Sequence, residues 1–151
     1  MDLNRNKEDI RWKQRFQNFR RAFSHLRSIS ERKENINEFS DEELELVVKR
    51  FEITFELAWK TLKDYIEYLG VELSNAAPRT IIKECAAHGI FDEGEIDGQL
   101  FIDMLEARNI TAHTYDYEKF KKIAVDIAGI YVQELGGLNF YLLSKLMKEQ
   151  E

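Results

Sequence analysis

Scarcity is the first information in this sequence. Of its 151 residues one is cysteine and one is proline, with seven glycines. Cys85 alone excludes an intramolecular disulfide and any metal site built on several thiolates. So little proline and glycine cannot supply the tight turns of an all-β fold, which leaves helices as the natural solution. No run approaches the roughly 18 apolar residues of a membrane span; the most apolar stretch, "IAVDIAGIYV", is interrupted by Asp126. The charged opening "MDLNRNKEDIRWKQRF" has no apolar signal-peptide core. A cytoplasmic location is the expectation.

What is present is charge and hydrophobic periodicity. Hydrophobic residues make up 44% and charged residues 33%, the balance of a globular chain with a sizeable core. The net charge of −6 argues against a protein that coats nucleic acid non-specifically. Its distribution is uneven. Residues 1–33 hold ten Lys/Arg against four acids, a surplus of six, so the remainder carries −12. A basic first helix on an acidic body faces a phosphate, an acidic partner or simply solvent.

Trp12, Phe16, Phe19, Phe23 and Leu26 form one apolar stripe on that first helix. After the polar "SISERKENINEF", the run "SDEE" reads as a capping box in which Ser40 and Glu43 exchange hydrogen bonds. It opens a second helix with Leu44, Val47, Phe51, Phe55, Leu62, Tyr65, Ile66 and Leu69 on its buried face, closed by Gly70. At near thirty residues and about 45 Å, it suits an antiparallel bundle or a dimer interface. Pro78 fits the first turn of a short helix ended by Gly89, where His88 reads as a C-terminal cap. A connector, "IFDEGE", leads to a helix carrying Ile96, Leu100, Met104, Ala107 and Thr111. Asp116 is the expected N-cap of the last main helix, with Phe120, Ile123, Ala124, Ile127, Tyr131 and Leu135 inward. Gly136-Gly137 is expected to interrupt it, leaving 136–151 as a tail helix. The expected fold is all-α: a four-helix up-and-down bundle with extra short helices, one domain over 1–151.

The chemistry-bearing stretch is "ARNITAHTYDYEKF" (107–120). At about 100° per residue, Arg108 and Tyr115 share a face, as do Asn109 and His113, while Arg108 and His113 stand about 140° apart. Either the helix loosens before His113, or two copies contribute to one site across a two-fold axis. Histidine, with an unperturbed pKa of about 6.5, moves protons at neutral pH, and arginine offers a permanent fork to a phosphate. Together they can act on RNA without a metal. The plainer alternative is a solvated helix end. Trp59 and the phenylalanine stripes read as core, and His25 lies beside the first stripe. No phosphate-cradling glycine loop is present, nor the Gly-Ser and Asp-x-Asp signature that holds the metal of a nucleotidyltransferase.

Three blocks, "RFEITFELAWKTLKDYIEYLG" (50–70), "APRTIIKECAAHGIFDEGE" (77–95) and "MLEARNITAHTYD" (104–116), resemble the HEPN superfamily. In particular they are similar to the nucleotidyltransferase substrate-binding proteins, over about Trp12 to Leu135. The resemblance implies a HEPN-like four-helix bundle that forms a homodimer and pairs with a minimal nucleotidyltransferase encoded nearby. It also implies a motif of Arg, four residues, His, one residue, Tyr, complete here as Arg108, Asn109, His113 and Tyr115. In active members this motif serves metal-independent RNA cleavage in a toxin–antitoxin pair. By position, His113 would be the acid–base group, Arg108 the phosphate contact and Asn109 an orienting residue. Tyr115 would accept an adenylyl group from the partner's Mg-ATP, silencing the nuclease; this chain would need no cofactor of its own. Tyr117 is expected instead to pack at the start of the last helix. A non-catalytic subunit that binds substrate or nucleotide for the partner is the other function the resemblance allows.

Overall fold

The structure, a computed structural model, describes residues 3–32, 35–113 and 116–148. Among them every regular element is helical. Helix α1 (Leu3–Ser30) and helix α2 (Asp41–Tyr68) form an antiparallel hairpin joined by a single 3₁₀ turn, Ile36–Glu38. The short helices α3 (Pro78–Ala87) and α4 (Ile90–Glu93) follow, then α5 (Gly98–Thr111). Helix α6 (Tyr117–Asp126) runs through a π-helical turn, Ile127–Tyr131, into α7 (Val132–Lys148).

The α1–α2 hairpin is held by the stripe read in the sequence. Trp12, Phe16, Phe19 and Leu26 are fully buried, and Trp12 meets Tyr65 of α2 edge-on at 4.9 Å between ring centroids. Phe16, Phe19 and Phe23 stack in sequence along α1 at 6.3 and 6.2 Å. Aromatic pairs of this kind add about 0.5–1.5 kcal/mol each beyond the area they bury. At the start of α2 the Ser40–Glu43 capping box is complete in both directions. At its end Gly70 takes φ +95°, a left-handed stop that a Cβ would strain.

The C-terminal helices run alongside α2 in the same direction: Tyr117 reaches Asp41, Tyr131 stacks on Phe51 at 5.7 Å, and Tyr141 meets Tyr65 at 6.5 Å. Asp116 caps α6, its carboxylate accepting from the amides of Glu118 and Lys119. The expected break at Gly136-Gly137 does not occur; α7 passes through both. The reason is packing. A Cβ on Gly136 would meet Phe23 of α1 at 3.2 Å, so the glycine lets the two helices approach closely. That contact offsets the roughly 1 kcal/mol of helix propensity each glycine gives up. The irregularity sits earlier, in the π turn. The connector "IFDEGE" likewise contains a helical turn of its own, burying Ile90 and Phe91. Among the described residues no helix is long and apolar enough to cross a membrane.

Candidate functional site

Helix α5 presents the motif at its C-terminal end. Asp97 caps its start by accepting from Gln99, and Phe101, Met104, Leu105 and Ala107 bury its inner side. The helix ends at Thr111 with Ala112 as C-cap, and the His113 amide closes back on the Ile110 carbonyl at 3.1 Å. The helix thus ends two residues before His113, which stands in the turn just past it. Its ring is exposed and meets no hydrogen-bond partner among the described residues.

Arg108 lies back over α2, as helical side chains do when they lean toward their own N-terminus. Its Nη1 donates to Glu56 Oε2 at 2.5 Å, and the guanidinium carbon sits 5.9 Å from the centre of the Phe55 ring. Nη2 makes a long contact, 3.4 Å, with Asn109 Oδ1, and Asn109 is otherwise exposed. Glu56 is the hub: it also accepts from Trp59 Nε1 at 3.1 Å and pairs with Lys60 at 3.1 Å. Partial burial works to raise its pKa, but hydrogen bonds from Trp59 and Lys60 and the charges of Lys60 and Arg108 outweigh it. Its carboxyl is held below the ordinary range.

The structure thus brings Arg108 and Asn109 together and sets His113 five residues on, without a side-chain contact between Arg108 and His113. Tyr115 lies outside the described residues. Tyr117 departs from the expected packing role. It is 48% exposed and donates its hydroxyl to Asp41 Oδ1 at 2.6 Å, which pushes its phenol above the ordinary value. It borders an open groove of about 470 Å³ whose charged walls, Asp41, Glu45, Glu52 and Asp116 against Lys49, are mainly acidic. His88 is the C-cap of α3, exposed, its ring 3.5 Å from Glu84. His25 of α1 faces Arg50 at 3.4 Å. Among the described residues no three His, Cys, Asp or Glu side chains converge as a metal site.

Sequence reasoning missed Glu56. Its contacts to Trp59 and Lys60 follow helical spacing, but its link to Arg108 spans 52 residues and has no local signature. What the cluster can do is grip an anionic oxygen: a guanidinium stacked on an aromatic ring, its fork turned to a carboxylate, beside an exposed amide and just short of an exposed imidazole.

The described residues thus form an all-helical bundle with Arg108 near the end of α5. Residues 14–144 match the family described as nucleotidyltransferase substrate binding protein like, and the chain belongs to that family. A crystal structure of a protein from Thermus thermophilus shares the fold, with a TM-score of 0.66 and 26% identical residues, covering 80% of this chain and 94% of that one. No curated protein matches the chain at a significant level.

Proposed function

We propose that this chain is the HEPN partner of a separate minimal nucleotidyltransferase, and that as a homodimer it cleaves RNA through Arg108, Asn109 and His113. The observation that carries the reading is the Arg108 fork, held at 2.5 Å on an anionic oxygen of Glu56 within a chain of this family. A phosphodiester oxygen likewise carries negative charge and accepts from a guanidinium. In the proposed step His113 removes the proton of a ribose 2′-hydroxyl, and the oxygen attacks the adjacent phosphorus. The bond to the 5′ oxygen breaks, and the leaving oxygen takes a proton from the imidazolium of the second copy's histidine. A 2′,3′-cyclic phosphate and a free 5′-hydroxyl result. Arg108 stabilises the charge that builds on the phosphorus oxygens, and this chemistry requires no metal. Tyr115 is the proposed acceptor through which the partner, using Mg-ATP, silences the site: the phenol oxygen bonds to the α-phosphorus, pyrophosphate leaves, and the phenol proton is released. The adduct adds a negative charge to the chain.

The test is expression without the partner. Wild-type protein should arrest growth, and His113→Ala or Arg108→Ala should relieve the arrest. Incubation with the partner and Mg-ATP should add AMP mass that Tyr115→Phe abolishes and Tyr117→Phe leaves unchanged. Harmless expression together with intact RNA after incubation with the purified protein would sink the nuclease reading.

A second reading is favoured by the same ion pair. Glu56 neutralises Arg108, as suits a subunit that holds a substrate or nucleotide for the nucleotidyltransferase and performs no chemistry. A stable complex with the partner, nucleotide binding lost on disrupting it, and no RNA cleavage would select this one.

A further inference from the structure

We propose that the groove between α1 and α7 is a docking track for single-stranded RNA, separate from the Arg108 end. The groove measures about 420 Å³, and Arg20, Arg21 and Arg27 line it together with Gln17, Ser24 and Asn139. No carboxylate lines it. Among the described residues none of the three arginines forms an ion pair, whereas Arg15 on the same helix is paired with Asp64. Arg20 and Arg27 are instead steadied over the Phe16 and Phe23 rings, at 5.7 and 5.5 Å from their centres. Stacking holds the guanidinium planes in place while leaving their donors open to a ligand.

Three of the ten basic residues at positions 1–33 thus line one groove on an otherwise acidic chain. Phe140, next in sequence to the groove-lining Asn139 of α7, is 75% exposed. Cationic grooves combined with exposed aromatic rings are the arrangement that binds single strands, with phosphates along the arginines and bases on the rings. An acidic protein surface would make less use of it, because stable protein interfaces are built around an apolar centre and these walls are polar. Asn139 adds a second sign: its amide oxygen is buried without a partner among the described residues. Turned toward the groove, the amide would meet both the donors and the acceptors of a ribose-phosphate chain.

α1 packs chiefly on α2 and α7, while α5 packs on α3, α2 and α6. The track is therefore a second surface. The choice of RNA rests on the nuclease reading, but binding and cutting can be separated by experiment. The probe is a short fluorescein-labelled single-stranded RNA of mixed sequence, titrated with the full-length protein and followed by anisotropy at several salt concentrations. Arg20→Glu/Arg21→Glu/Arg27→Glu should lower affinity at least about tenfold and flatten the salt dependence by about 0.7 for each phosphate no longer neutralised. Phe140→Ala should weaken binding by a smaller factor at an unchanged salt slope. Circular dichroism should show each variant folded. The same number of charge reversals at Arg79, Lys83 and Lys148 controls for net charge. An equal drop in that control, or undiminished binding by the groove variant, overturns the track. RNA bound through the groove but never cut would leave the track standing and remove the nuclease.

Discussion

Two carboxylates of α2 each hold an arginine from a neighbouring helix, and the pairs are built for different ends. Asp64 takes Arg15 of α1 at 2.8 Å with its own side chain only 2% exposed. Glu56 takes Arg108 of α5 at 2.5 Å with 36% of its side chain in solvent. In the first pair the carboxylate is buried beside the Trp12–Tyr65 contact while Arg15 keeps 34% of its side chain exposed, and Lys63 stands 4.0 Å from Asp64. The second is open and shared, since Trp59 and Lys60 also satisfy Glu56. A buried carboxylate is costly to leave without its arginine, which ties Arg15 to the fold. An open pair costs little to exchange, so its arginine is free to trade carboxylate for phosphate.

The largest expected contrast is in activity. Arg108→Ala should lower RNA cleavage by a factor of about 10² or more, the usual scale for removing a group that stabilises transition-state charge. The same variant should change stability by less than about 1 kcal/mol. Arg15→Ala should do the reverse. Leaving Asp64 buried without its arginine should cost about 3 kcal/mol, or about 6–12 °C in melting temperature for a domain of this size. Cleavage per folded molecule should remain. Thermal melts alongside a cleavage assay check both, and a stability loss as large for Arg108→Ala as for Arg15→Ala would erase the distinction.

The smallest effect sharpens it. Glu56→Gln should shift stability by about 0.5 kcal/mol or less at neutral pH, while tightening the binding of inorganic phosphate to Arg108. Because the Glu56 carboxyl is held below its ordinary value, its contribution is present above the usual carboxylate range. It is lost as pH falls through the folded value. The stability gap between wild type and Glu56→Gln should therefore close on acidification, as melts taken from neutral pH downward would show.

The same contrast explains what was legible in the chain. Elements set by local rules were readable: the Ser40 capping box, the Asp116 N-cap, the Gly70 stop and the period of the α1 stripe. Arg108, Asn109 and His113 were legible only as a spacing, and the structure adds that α5 ends at Thr111, before His113. What escaped were contacts between distant segments. Gly136 reads as a breaker until Phe23 is seen against it, and Glu56 reads as a surface acid until Arg108 arrives from 52 residues away. Tyr117 escaped similarly, because Asp41 lies 76 residues earlier.

The π turn at Ile127–Tyr131 has a consequence for how the chain tolerates changes of length. A regular helix advances about 100° per residue, so one residue removed from its middle swings everything beyond it out of register with the core. The wider turn already carries one residue more than an α-helix needs over the same arc. Deleting Gly129, where an added Cβ would meet open space, would turn that stretch into ordinary α-helix. Asp116 and Tyr117 before it and Leu135 and Leu138 after it would keep their faces. The chain thus holds a spare residue at one known place, and a single deletion that would scramble α2 should pass there almost unnoticed.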